Sequence, residues 1–146
     1  RRFVAACLGV ALSEIEVIGT PMGGGFGGKD DTAAIVCART ALAAEGIEAD
    51  VLDLRVLRPL DEAAILETGS RPHRRVIVDE GWRSGSLSAG VAARVAERAF
   101  YELDAPIRRV CSAEVPVPYP KHLEDAALPQ PAAIVAAVRE LLGANG

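Results

Sequence analysis

The sequence predicts a three-layer α/β fold, in which a mostly parallel sheet of about four or five strands has helices on both faces. The main observation is a strand-turn-helix unit near the middle of the chain. The β-branched run Val76–Asp79 is typical of a buried strand, Ser84–Gly90 forms a small-residue turn, and Val91–Tyr101 has the pattern of an alanine-rich amphipathic helix. Strand and helix patterns also alternate along the whole chain, and parallel strands need such helical crossovers.

Length and composition limit the classes of protein to which the chain can belong. With 146 residues, half of them hydrophobic, it is long enough for a single α/β domain with one core. A net charge of −4 disfavours nucleic acid or an anionic membrane as a partner. Three widely spaced cysteines suit reduced thiols in a cytoplasmic protein, namely Cys7, Cys37 and Cys111. The first residue, Arg1, favours a processed or excised piece.

The N-terminal third contains a predicted helix, a strand, a glycine loop and a second helix. Apolar residues at helical spacing predict a short helix over Arg1–Ala11, and Ile15–Ile18 has the pattern of a strand. The loop Gly19–Asp31 follows, and the next helix runs to about Ala44, with Gly46 as its stop. The capping residue of that helix is Asp30, Asp31 or Thr32.

Further predicted elements flank the central unit. A strand over Ala49–Leu54 precedes a helix near Glu62–Thr68, for which Asp61 is the capping residue. After the central helix, Ile107–Cys111 is predicted to be another strand. The domain therefore repeats strand and helix in order, as a parallel sheet requires.

The C-terminal part combines a proline-rich segment with a closing helix. Val115–Pro120 cannot be a central strand because proline has no N–H to donate, so we expect an extended surface segment. Ala132–Leu142 has the pattern of a clean helix, and Pro131 precedes it at an early position where the missing N–H costs little.

The glycine loop is the main candidate for a ligand site. Gly23-x-Gly25-x-x-Gly28 follows a strand and opens a helix, as in dinucleotide-binding folds, and Asp50 and Asp53 lie roughly where a ribose-binding acid would stand. A P-loop is disfavoured because Asp30 replaces the magnesium-binding Ser or Thr. Two carboxylates at this helix start would also repel a phosphate, so we favour a flexible turn over a nucleotide site. The candidate cofactor-binding residues are Gly23, Gly24, Gly25, Phe26, Gly27, Gly28 and Lys29.

Outside the glycine loop, few groups of residues suggest catalysis. Asp79 and Glu80 stand at the C-terminal end of the central strand, where open α/β sheets bind ligands, but we favour a bond from Asp79 to the following turn and an arginine partner for Glu80. Trp82 is predicted to pack over the helix behind it, or, if exposed, to serve an interface. No cysteine and histidine spacing indicates a metal site. Turn or solvent roles are expected for His73, His122, Ser84, Ser86 and Ser88.

The first stretch, RRFVAACLGVALSEIEVIGTPMGGGFGGKDD, resembles the molybdenum-cofactor subunit of the xanthine dehydrogenase and aldehyde oxidase family. The resemblance implies that Phe26 and Gly27 correspond to residues beside a molybdenum centre. It ends near Ala44, and that family's other cofactor-binding segments and catalytic glutamate have no counterpart here. We therefore expect no molybdenum hydroxylase activity from this chain.

The remainder resembles the C-terminal domain of the β subunit of 2-oxo acid dehydrogenase E1, as in pyruvate dehydrogenase. The motifs are AAEGIEADVLDLRVLRPLDEAAI, RRVIVDEGWRSGSLSAGVAARVAERAFYELDAPIRRV and EVPVPYPKHLEDAALPQPAAIVAAVREL, in that order. The resemblance implies a transketolase C-terminal-like fold that serves subunit interfaces and, in several members, docks the subunit-binding domain of E2. It also implies a thiamine diphosphate site built by other parts of the enzyme. No cofactor is therefore expected for the isolated chain, since thiamine diphosphate and molybdopterin belong to the two parent families.

The two resemblances meet near residues 41–45 and predict a chimera, in which residues 1–43 are a grafted unit and residues 44–146 are E1 β-like. We favour an engineered origin. The predicted function is non-catalytic association, with an E2 subunit-binding domain, E1 subunits or a second copy of the chain as partner. Two alternatives remain open: anion, nucleotide or pterin binding at the loop Gly23–Lys29, and an inert folded scaffold.

Overall fold

The structure, a computed structural model, describes residues 32–54, 56–67 and 74–143. The chain divides into two compact units, residues 1–49 and 50–146. The predicted helix Arg1–Ala11, the strand Ile15–Ile18 and the glycine loop lie outside the described residues and stay predictions.

Helix α1, Thr32–Ala44, is the described element of the first unit. At its end Gly46 adopts a φ of 75°, a left-handed conformation that glycine takes without strain. The backbone N–H of Gly46 donates to the carbonyl of Ala43 (3.0 Å), and the N–H of Ile47 donates to that of Leu42 (2.9 Å). These bonds satisfy carbonyls that the helix itself leaves unpaired. The predicted stop at Gly46 is confirmed.

The second unit contains the other described elements. In chain order they are α2 (Glu62–Glu67), β1 (Val76–Trp82), α3 (Leu87–Ala99), a 3-10 turn (Phe100–Glu102), β2 (Arg108–Ser112), α4 (Lys121–Ala127) and α5 (Pro131–Gly143). No helix among the described residues is both long and apolar enough to cross a membrane.

Strands β1 and β2 pair in parallel, with α3 in the connection between them. The register runs from Val76 opposite Arg108 to Asp79 opposite Cys111, and then shifts so that Trp82 stands opposite Ser112. The shift leaves Glu80 and Gly81 without Cα partners on β2 in this register. The predicted α/β class with a parallel sheet is confirmed, and two of its strands lie in the part of the chain that the structure describes.

The core of the second unit forms around one face of α3. Val91, Val95 and Ala99 recur at helical spacing and are buried together with Ile65 of α2. Val95 is only 1% exposed. Partly buried apolar side chains complete the cluster: Leu54, Leu60, Leu66, Ile77, Leu103 and Ile107.

Polar contacts fix both ends of the short helix α2. The Asp61 carboxylate accepts a hydrogen bond from the backbone N–H of Ala64 (2.9 Å), as its predicted capping role requires. At the other end Arg75 Nη1 donates to the carbonyl of Ile65 (2.7 Å), one of the terminal carbonyls that the helix leaves unpaired. The helix therefore depends on residues of the neighbouring segments more than on its own six-residue length.

Two predicted elements differ from the structure, and one helix was not predicted. Ala49–Leu54 forms no strand, because its backbone joins no ladder and Val51 and Leu52 are both exposed. Helix α3 begins at Leu87 instead of Val91, because the Asp79 carboxylate accepts a hydrogen bond from the N–H of Ser88 and so caps the helix at this earlier position. Helix α4 was not predicted; ion pairs from Lys121 to Glu124 (3.1 Å) and Asp125 (2.9 Å) support it.

Candidate functional site

Most of the predicted ligand site falls outside the described residues. This applies to Gly23, Gly24, Gly25, Phe26, Gly27, Gly28 and Lys29, and also to His73. Of the two proposed ribose-binding acids, Asp50 and Asp53 are both exposed on a segment without regular structure. Ligand binding at the glycine loop stays a prediction.

Asp79, at the carboxyl end of β1, organises the turn that follows it. One carboxylate oxygen accepts the backbone N–H of Gly81 (2.8 Å), and the other accepts that of Ser88 (2.8 Å). Partial burial raises the pKa of Asp79, but hydrogen bonds from Gly81, Ser88 and the Ser86 hydroxyl outweigh burial and hold the pKa below its ordinary value. The predicted bond from Asp79 to the turn is confirmed, and the ionised carboxylate serves as the cap of α3.

The serines around Asp79 have structural roles, as predicted. Ser86 occupies the N-cap position of α3, yet its side chain makes no capping bond, because Asp79 fills that role. The Ser86 and Ser88 hydroxyls lie 2.7 Å apart, and the buried Ser88 hydroxyl is 3.4 Å from the Cys111 thiol on β2. This turn is closely packed: a Cβ on Gly81 would lie 3.0 Å from the Ser86 Cβ.

A second set of bonds joins the turn after β1 to the end of β2. Arg83 Nη1 donates to the carbonyl of Arg109 (3.2 Å), and Arg109 Nη1 donates to the carbonyl of Arg83 (2.7 Å). The Glu114 carboxylate accepts both the N–H (2.9 Å) and the hydroxyl (2.7 Å) of Ser84. The hydroxyl bond, aided by the N–H bond and by the charge of Arg83, lowers the pKa of Glu114. These residues frame an open pocket.

The pocket has a volume of ≈ 450 Å³. Two arginines, a thiol, a hydroxyl and a carboxylate line it together with small apolar groups: Arg83, Arg109, Cys111, Ser112, Glu114 and Ala133 are among its residues. Its composition suits the recognition of a charged group, since guanidinium groups bind oxyanions.

The proline-rich segment beyond β2 joins no strand and lies mostly exposed at the surface, as predicted, although bends interrupt it. The Trp82 indole N–H donates to the carbonyl of Val115 (3.1 Å) and so ties this segment to the end of β1. Trp82 is 47% exposed and Tyr119 fully exposed, and Val115 and Val117 are also exposed. Trp82 is therefore not the buried packing anchor that was predicted, and an interface role for it stays a prediction. We call Trp82, Val115, Val117 and Tyr119 the apolar strip.

Sequence patterns did not reveal most of these residues. Arg83, Arg109 and Glu114 were not singled out, because their contacts join positions about 26 to 30 residues apart. The available signal is positional: side chains at the carboxyl ends of neighbouring parallel strands share one edge of the sheet. Among the residues that the structure describes, no group of three or more His, Cys, Asp or Glu is arranged to hold a metal ion.

Comparison with known proteins decides the family. The family described as "Transketolase, C-terminal domain" matches residues 33–134, well over half of the sequence. The chain belongs to this transketolase C-terminal domain family. The predicted likeness to 2-oxo acid dehydrogenase E1 β subunits is confirmed at the level of the domain, and its strand β1, helix α3 and strand β2 all fall inside the matched region.

The relatives include β subunits of two named enzymes. The chain is 42% identical over 108 residues to the mitochondrial "pyruvate dehydrogenase E1 component subunit beta" of Dictyostelium discoideum, covering 74% of the chain and 30% of that protein. It is 44% identical over 116 residues to the "acetoin:2,6-dichlorophenolindophenol oxidoreductase subunit beta" of Bacillus subtilis, covering 80% and 34%. The chain thus spans about a third or less of the length of these relatives.

Proposed function

We propose that this chain is a non-catalytic association domain of a 2-oxo acid dehydrogenase E1 β-like subunit, and that it binds its partner through the apolar strip. The proposal rests on the exposure of Val115, Val117 and Tyr119 on a segment that is hydrogen-bonded to the exposed Trp82. Exposed apolar patches mark interaction sites, and aromatic residues are enriched at protein interfaces.

The strip is suited to tight binding because it is already ordered. Prolines alternate with Val115, Val117 and Tyr119, and each proline fixes its own φ angle. The bond from Trp82 to Val115 holds one end of the segment. A partner therefore loses little affinity to ordering this surface, and each apolar side chain that becomes fully buried contributes about 1.5–3 kcal/mol.

The partner that we propose is the subunit-binding domain of E2, with E1 subunits or a second copy of the chain as the other occupants. The relatives are named as β subunits of a pyruvate dehydrogenase and of an acetoin oxidoreductase, which favours a domain that works within an assembly. One of these enzymes is named for pyruvate, a 2-oxo acid, and the other for acetoin, which is not an acid, so the substrate of the parent complex stays open. A cytoplasmic location is part of the same proposal.

Calorimetric titration with an E2 subunit-binding domain tests this function, after chromatography with light scattering has fixed the oligomeric state. Tyr119→Ala should weaken binding by about 2 kcal/mol or more, roughly 30-fold, if Tyr119 is an aromatic anchor. Tyr101→Ala is the matched control, because Tyr101 is 98% exposed but lies in the 3-10 turn away from the strip sequence. Equal binding by both variants, or no binding by the folded chain, would refute the proposal.

We also propose that residues upstream of the family match come from a second, molybdenum hydroxylase-like source. Because the match begins at residue 33, the junction in this proposal lies at or before that residue, about ten residues upstream of the predicted position. Binding of an anion, nucleotide or pterin at Gly23–Lys29 is the alternative function. Substituting Gly25 and Gly28 should abolish such binding and leave E2 binding intact; an inert scaffold would bind neither.

A further inference from the structure

The pocket between the turn after β1 and the end of β2 contains the guanidinium groups of Arg83 and Arg109. Neither forms an ion pair within 4 Å with another described residue, although the charge of Arg83 acts on the Glu114 carboxylate. Each donates one hydrogen bond to the backbone carbonyl of the other residue, as described above. A guanidinium has five N–H donors, so these bonds use a small part of its capacity. The ion pairs between described residues all involve other cations: Arg94, Arg98, Arg108 and Lys121.

The reciprocal bonds also hold the two arginines in place. Each arginine reaches across to the neighbouring segment, so the ends of β1 and β2 and both guanidinium groups form one cross-linked structure. An arginine fixed in this way loses less side-chain entropy when it binds an anion than a freely rotating one. The reciprocal bonds therefore preorganise the two arginines for an anion.

The net formal charge of the pocket lining indicates which ligand charge would match it. Its lining has two positive groups, Arg83 and Arg109, and one acidic group, Glu114. Two hydrogen bonds from Ser84 hold Glu114 as the carboxylate. The sum is one positive charge, which matches a monoanion better than a dianion. Apolar contacts are available from Val110, Ala113 and Ala133 on the same lining.

We propose that this pocket binds a small monocarboxylic acid, with its carboxylate held by Arg83 and Arg109 and its short hydrocarbon part against Val110, Ala113 and Ala133. A carboxylate fits the planar guanidinium fork with two parallel hydrogen bonds. The open pocket, of ≈ 450 Å³, has room for a small acid. The proposal does not rest on a partner protein, although Arg83 and Glu114 of the pocket adjoin Trp82 and Val115 of the apolar strip.

The test is a titration of the full chain with butyrate, followed by backbone amide shifts in a two-dimensional NMR spectrum. Saturable shifts should occur at residues 109–114. The uncharged analogue 1-butanol should produce no saturable shift there, because it cannot replace the charged hydrogen bonds. Equal binding of butanol, or no saturable shift from butyrate, would overturn the proposal, and both results come from the unmodified chain.

Two further probes identify the source of the anion. Inorganic phosphate should bind more weakly than butyrate, and tighter binding of phosphate would overturn the choice of a monocarboxylate. N-acetylvaline mimics the C-terminus of a protein chain. It should bind no more tightly than butyrate, and a clear preference for it would assign the site to a chain end instead of a small acid.

Substitutions of the two pocket arginines test whether butyrate binds at the pocket. Arg109→Gln and Arg83→Gln should each weaken butyrate binding by about tenfold or more, the usual contribution of a charged hydrogen bond. Arg98→Gln is the matched control, since Arg98 is an exposed arginine that pairs with Glu62 on another part of the domain. Circular dichroism confirms folding, and Arg83→Lys keeps the charge while removing the fork. Unchanged binding in Arg83→Lys and in both glutamine variants would overturn the assignment.

Discussion

Replacing Asp79 tests whether one ionised carboxylate holds the strand-turn-helix unit together. Asp79→Asn keeps the shape of the side chain but turns one acceptor oxygen into an N–H₂ donor. That donor must then face the N–H of Gly81 or of Ser88, each of which now donates to the carboxylate at 2.8 Å. One capping bond is lost and two donors oppose each other.

The expected loss follows from these contacts. Removing a helix cap costs about 0.5–2 kcal/mol, and a hydrogen bond to a charged group contributes about 1.5–3 kcal/mol. Because Asp79 is only partly buried, solvent reduces the effect, and we expect Asp79→Asn to lower the free energy of unfolding by about 1–2 kcal/mol at pH 7. Asp104→Asn, at an exposed site in the same unit, should change it by less than about 0.5 kcal/mol.

The same account predicts how the stabilising effect of Asp79 changes with pH. The folded-state pKa of Asp79 lies below its ordinary value, so its contribution to stability is present above the unfolded-state pKa of about 3.9 and is lost as the pH falls through the folded-state value. Urea unfolding of both proteins at pH 7 and at pH 2.5 measures it. The difference between wild type and Asp79→Asn should shrink at pH 2.5. A difference that is absent at pH 7, or the same at both pH values, would refute this account.

Three other substitutions give expected changes in the free energy of unfolding. Val95→Ala removes two methyl groups from a position of α3 that is only 1% exposed and should cost about 2 kcal/mol in urea unfolding, with exposed Val117→Ala as its control. Gly81→Ala places a Cβ 3.0 Å from the Ser86 Cβ, so thermal unfolding should show a loss of about 1–2 kcal/mol; no loss would mean that the turn relaxes. Glu62→Gln removes exposed ion pairs with Arg94 (2.9 Å) and Arg98 (3.1 Å) and should cost under about 1 kcal/mol at low salt and less at 1 M salt.

Local patterns predicted the elements whose causes are local. The β-branched run at Val76 gives β1, Asp61 gives the start of α2, and Pro131 stands at the start of α5. Each depends on a side-chain preference or on a bond within a few residues. The strand predicted at Ala49–Leu54 failed because a strand exists only when another backbone pairs with it, and composition does not specify that partner.

Long-range contacts account for what the sequence did not predict about the site. The arginine pair of the pocket joins positions 26 residues apart, and the bond from Trp82 to Val115 joins positions 33 apart. No local periodicity reports such contacts. Helix α4, which was not predicted, begins immediately after Pro120, a position at which proline is compatible with the first turn of a helix.

The register shift at the end of β1 determines how an insertion or deletion at this end of the strand would change the side chains on each face. Glu80 and Gly81 are two additional residues relative to β2, and the Ser112 hydroxyl binds the carbonyl of Glu80 (2.6 Å). Side chains of a strand alternate between its faces, so an insertion of even length preserves parity, whereas one of odd length inverts it. Trp82 consequently keeps the face that Glu80 would have had in an unbroken register. Deleting one residue here would exchange the faces of Trp82 and Arg83, and thereby exchange an aromatic contact surface for a cation.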